Sequence, residues 1–173
     1  MTVETTIVKA VSESVFARTR DYLETELAVT LMQTEPHGGE IDMIALHDVT
    51  AIVGVGGAVN LLIAFSFSNT LLDRIFAGFT AEVEIAESER HMYRLETASE
   101  VVNIIVGLCT GDMPHGDAAI SLSPPVVVQE AKSIRRTKGA LFWSQTITTD
   151  SGLLDINFVG PREMFDIELN YAA

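Results

Sequence analysis

ESERHMYRLETASEVVNIIVGLCT, residues 87–110, is the stretch on which the reading of the fold turns. Its period is that of one long helix. At about 100° per residue, Ala98, Val101, Val102, Ile105, Leu108 and Cys109 share one broad apolar face. Glu89, Tyr93, Glu96, Glu100, Asn103 and Gly107 gather on the opposite face. Glu100 and Asn103 are three apart, so their side chains stand one turn over on a helix surface. Ile104 and Val106 are expected to crowd them from both sides. A short polar strip in an apolar surround is how a contact or catalytic face is often built.

Around that helix the period changes. Residues 9–31 read as a helix with Val11, Val15, Thr19, Tyr22 and Leu23 inward and Phe16 and Leu27 widening the face. Glu35-Pro36-His37-Gly38-Gly39 reads as a turn or short loop, with His37 on its surface. Residues 48–55 and 58–67 are β-rich and meet at Gly56-Gly57, which predicts a hairpin. Ser68-Asn69 is a good cap for a helix over 70–79, followed by an acidic connector at 80–86. Ser88 is the expected cap of the long helix.

After a loop at 111–117, residues 118–129 read as a strand interrupted at Pro124-Pro125, a pair that belongs at an edge or bulge. Residues 131–138 read as a basic turn region. Residues 140–149 and 153–159 form a second hairpin about Asp150-Ser151-Gly152, and 164–171 has the pattern of a last short strand. Phe142 and Trp143 point to opposite faces, which leaves one of them open to exposure. The order predicts an α+β fold, a mostly antiparallel sheet with helices covering it, in a single domain over 1–173.

Composition narrows the partners. Eleven Lys and Arg against 24 Asp and Glu give a formal charge of −13, which repels nucleic acid. The single cysteine, Cys109, falls on the apolar helix face and reads as a buried thiol, with no disulfide framework. No signal peptide is expected from MTVETTIVKAV, no window is apolar enough to span a membrane, and a cytoplasmic location follows as an expectation.

Searches for familiar chemistry fail. There is no C-x-x-C, no His-Glu-x-x-His and no G-x-S-x-G. Gly54, Gly56 and Gly57 lack the Lys-Ser or Lys-Thr of a phosphate loop and lead into a strand. Asp112, His115 and Asp117 share a loop that reads as polar rather than metal-binding. What remains is Glu100-x-x-Asn103. A carboxamide can orient a water without gaining or losing a proton, and a carboxylate can pair with a partner's lysine. Such a pair suits a site completed by another molecule, and phosphoryl transfer is largely positioning and electrostatics.

The segment Glu96-x-x-x-Glu100-x-x-Asn103-x-x-x-Gly107, with Pro125 before Val126-Val127-Val128, resembles the CheC/CheX/FliY family of chemotaxis phosphatases, most of all its CheX-type members. The upstream order agrees: a first helix, a Gly-rich hairpin at 49–67, and Ser66-Phe67-Ser68 leading into a short helix. The resemblance runs from about residue 8 to 160. It implies hydrolysis of the aspartyl phosphate of a CheY-like response regulator. Glu100 would grip the regulator's lysine and Asn103 would hold the attacking water. Glu96 and Gly107 would belong to the partner-binding surface, Glu96 standing where the family commonly has aspartate or serine.

The chain itself would need no cofactor, since the magnesium in such complexes belongs to the receiver. The first helix has no matching asparagine, which implies one site per chain, and CheX-type members imply a homodimer built by sheet contact. The alternative is a non-catalytic module of the same fold that binds a receiver or dimerises in two-component signalling.

Overall fold

The computed structural model describes residues 3–39, 41–57, 60–112 and 120–161. Among the described residues, three α-helices and nine strands follow one another, with a 3-10 turn over Thr110–Asp112: α1 (Val3–Thr25), β1 (Leu31–Gly39), β2 (Met43–Ala45), β3 (Val49–Gly56), β4 (Leu61–Phe67), α2 (Asn69–Phe79), α3 (Arg90–Cys109), β5 (Ser121–Leu122), β6 (Val126–Gln129), β7 (Ser133–Arg135), β8 (Ala140–Thr149) and β9 (Gly152–Pro161). The main sheet runs β1-β8-β9-β4-β3, with β5 and β6 sharing the outer edge of β3, and β2 and β7 form a separate ribbon. Every pairing is antiparallel, so the expected α+β class holds.

Strand alternation sets the two faces. Val49, Ala51, Val53 and Val55 of β3 stand opposite Phe67, Phe65, Ile63 and Leu61 of β4, and all eight are buried. The row continues through Leu154, Ile156 and Phe158 of β9 to Ile147 and Leu141 of β8. Onto it pack Val11, Val15 and Leu23 from α1 and Ala98, Val101, Val102, Ile105 and Cys109 from α3. Phe16, Trp143 and Phe158 add an aromatic cluster, with Phe16 edge-on to both partners at 5.0 and 5.6 Å between centroids. Neither Phe142 nor Trp143 stands free. Phe142 is fully buried and Trp143 is half-buried under α1.

Several expectations need correction. The first helix ends at Thr25, not at 31. Ala28 turns the chain at φ 49°, and Val29 N–H reaches back to Leu23 O at 2.9 Å, which closes the helix end without the usual glycine. Residues 35–39 are not a loop but most of strand β1, paired along β8 with Pro36 opposite Gln145. Proline is tolerated there because β1 is the edge of the sheet. The basic turn region holds the short strand β7. Helix α3 starts at Arg90 behind Glu89, and Ser88 does not cap it; Ala86 O accepts the N–H groups of Glu89 and Arg90 instead. Leu108, expected inward, is 47% exposed, whereas Val106 lies in the core. The expected strand at 164–171 lies outside the described residues.

Other local readings hold. Ser68 Oγ accepts from Leu71 N–H at the start of α2 and from Leu153 N–H of β9 at 2.9 Å. Pro124-Pro125 falls between β5 and β6, where Val55 pairs with Leu122 but Ile52 pairs with Val126. Three steps on β3 against four on its partner make a bulge. Ser123 fills it, its N–H donating to Gly54 O and its Oγ accepting from Gly54 N–H.

Candidate functional site

Helix α3 lies between α1 and α2 and is fastened near each end. Arg94 donates to Asp73 and Asn69 of α2, and Arg90 stacks 5.1 Å above the Phe76 ring. Beyond the other end, Asp112 takes two hydrogen bonds from Arg18 and one from Ser14, both on α1. Arg18 and Ser14 hold the Asp112 carboxyl below its usual range. Asp112 is thus engaged in a helix clamp; His115 and Asp117, grouped with it in the sequence, lie outside the described residues.

Between these fastenings the buried face of α3 carries Ala98, Val101, Val102, Ile105, Val106 and Cys109. Burial pushes the Cys109 thiol up to about 11, and its Sγ donates to Ile105 O. It is a packed thiol, not a nucleophile. Because the inward face takes these positions, Glu96, Glu100, Asn103 and Gly107 all face solvent. Among the described residues, neither the Glu100 carboxylate nor the Asn103 carboxamide has a hydrogen-bond partner. Among the described residues, no atom outside the surrounding helix backbone lies within 4 Å of where a Cβ on Gly107 would stand, so the helix surface one turn beyond Asn103 is open. Half-buried Ile104 and exposed Leu108 border it.

Two features that no motif marks belong to the surroundings of the strip. Tyr22 of α1 is half-buried, and its phenol is held above the usual value first by burial and then by Glu26 and Glu100. On the other side, the end of α2 and the connector after it form a groove against Glu96 and Glu100. Both depend on which helices flank α3, which local sequence does not reveal. A larger cavity, about 600 Å³, opens at Gly54, Leu62, Ser121 and Ser123, but none of its lining side chains titrates in the physiological range. Among the described residues no three His, Cys, Asp or Glu side chains converge as a metal site, and no helix is long and apolar enough to cross a membrane.

The family model of the chemotaxis phosphatase CheX matches residues 49–148, more than half of the chain. The chain belongs to the CheX family. No curated protein sequence is significantly similar to it. Solved CheX structures share its fold at low identity. A chemotaxis protein CheX from Desulfovibrio desulfuricans is 16% identical, with a TM-score of 0.72 over 86% of this chain and 97% of that one. The CheX–CheY–BeF3–Mg2+ complex from Borrelia burgdorferi contains a chain 17% identical, with a TM-score of 0.63 over 89% of this chain and 97% of its own. FliY from Thermotoga maritima superimposes more loosely, with a TM-score of 0.54 at 12% identity, 95% of this chain and 93% of that one being covered.

Proposed function

We propose that this CheX-family chain hydrolyses the aspartyl phosphate of a CheY-like receiver domain. The observation that carries the reading is a carboxamide and a carboxylate, one helical turn apart, both exposed and without a hydrogen-bond partner among the described residues, on a helix clamped near both ends. In the reaction, a water attacks phosphorus in line, the bond from phosphorus to the aspartyl oxygen breaks, and inorganic phosphate and a free aspartate result. Asn103 orients that water, its Oδ1 accepting from a water O–H. Glu100 grips the receiver's lysine beside the phosphoaspartate through a charge-assisted hydrogen bond. The amide needs no change of protonation, so its contribution is positioning.

The magnesium needed to neutralise the phosphoryl oxygens belongs to the receiver. Glu96 and Gly107 extend the contact surface along α3, Gly107 by leaving room for the receiver's backbone. The chain acts in the cytoplasm, where receivers are phosphorylated, as a homodimer with one site per protomer.

The test is the decay of a receiver phosphorylated with acetyl phosphate, followed after removal of the donor. Faster decay with catalytic amounts of this chain is the expected result. A decay rate unchanged by the chain, together with binding to the receiver, would assign it instead to the non-catalytic class.

A further inference from the structure

The groove beside Glu96 and Glu100 has a volume of about 510 Å³. Phe79, Val83, Ile85 and Tyr93 supply its apolar wall, and the two glutamates close one side. Val83 is 59% exposed and Tyr93 38%, so these two open the wall to a partner, while half-buried Ile85 and Phe79 form its floor and Phe79 packs on the core. The rim is acidic. From Phe79 to Glu100 the chain carries Glu82, Glu84, Glu87, Glu89, Glu96 and Glu100 against two arginines. Arg94 is paired with Asp73 and bonded to Asn69, and Arg90 keeps its charge over the Phe76 ring. The groove therefore offers apolar surface inside a net negative field, since six carboxylates along this segment outnumber its two guanidinium groups.

We infer that this groove is a second docking point for the receiver, taking a surface segment that carries an exposed apolar side chain next to a basic one. The inference rests on the phosphatase reading for the identity of the partner, and goes beyond it in assigning a contact separate from the reacting atoms. The physical argument is one of orientation. A single helix strip can touch the phosphoryl site at many angles of rotation. A second anchor, one turn and more toward the start of α3, fixes that rotation and brings Asn103 into line. The basic side chain answers Glu96, since Glu100 is engaged by the lysine at the phosphoryl site, and the apolar one fills the wall of Phe79, Val83 and Ile85. This also resolves a difficulty of charge. A chain of −13 meets the acidic pocket of a receiver, and a local contact between an acidic groove and a basic segment offsets the unfavourable long-range field.

The test uses Val83→Ser and Val83→Arg in the full chain. Their side chain is largely solvent-exposed, so the fold is not at stake, and thermal melts check that. Two readouts are taken: steady-state hydrolysis of a CheY-like receiver phosphorylated with acetyl phosphate, and binding to the same receiver carrying beryllofluoride and magnesium. Val83→Ser is expected to raise KM for the receiver about tenfold with kcat within about twofold, because it removes apolar burial from docking and leaves the reacting groups in place. Val83→Arg is expected to weaken binding further, and less so at high salt.

If the wild type accelerates hydrolysis and both variants keep its KM, the groove inference is overturned and the phosphatase reading stands. If the wild type binds without accelerating and the variants weaken binding, the groove stands and the catalytic reading fails. No binding by the wild type overturns both.

Discussion

His47 and Gly152 illustrate how much single residues carry, and how differently they announce themselves in the sequence. His47 N–H donates to Ser66 Oγ, and its Nε2 lies 3.0 Å from Asp155 Oδ2, a contact that becomes an ion pair when the imidazole is protonated. Asp155 raises the His47 pKa above the usual 6.5, against a smaller opposing effect of burial, with Asp48 adding to it. A base whose folded pKa is raised stabilises the fold fully below the unfolded value. That contribution is lost as pH rises through the folded one. The melting temperature of the wild type relative to His47→Gln should therefore be highest below about pH 6.5 and fall above it; a difference that grew with pH would contradict the assignment. Nothing in the sequence near His47 points to Asp155, because the pair meets only through strand register. Gly152 is legible as a turn. Its φ of 139° and the closeness of Ser68 Oγ and Thr70 Oγ1 to the place a Cβ would take make glycine obligatory there. Gly152→Ala should cost about 1–3 kcal/mol in a denaturant titration, whereas a loss below about 0.5 kcal/mol would mean that the turn relaxes freely.

At the scale of elements, the long helix is readable because its period is sustained and its inward face is apolar for three turns. The two hairpins are readable for the same kind of reason, alternation bounded by glycine turns. Edge and ribbon strands are not. β1 contains Pro36 and two glycines and needs only one neighbour, so its local sequence looks like a loop, while β7 is three residues long. The end of α1 escapes the sequence because Ala28 takes the left-handed conformation that glycine usually marks. On α3 the strip itself is legible, but the clamp through Arg94 and Asp112 and the groove beyond Glu96 are not, since they come from other elements. The strip gives a prediction of its own. Gly107 sits in a helix with open space around it, so Gly107→Leu should hold or raise stability by up to about 1 kcal/mol. The same change should sharply slow receiver dephosphorylation by obstructing approach to Asn103. An undiminished rate in a well-folded Gly107→Leu protein would remove this turn of α3 from the contact surface.

For the molecule as a whole, the sheet and the two fastenings hold α3 with its polar strip exposed, and the chemistry is proposed to arise only when a receiver arrives. The acidic charge, the absence of familiar catalytic motifs and the lone packed cysteine all fit a protein that supplies geometry to a partner's reactive group. CheX-family membership and the shared fold agree with that view, and the proposed division of labour between Glu100 and Asn103 can be measured directly. Asn103→Ala separates it most cleanly. With beryllofluoride-activated receiver, the variant should bind within a few-fold of wild type, because Glu100 and the rest of the ridge remain. With phosphorylated receiver at saturation, kcat should fall by about 100-fold, because the aligned water is lost. A variant that binds and hydrolyses at the wild-type rate would contradict the account.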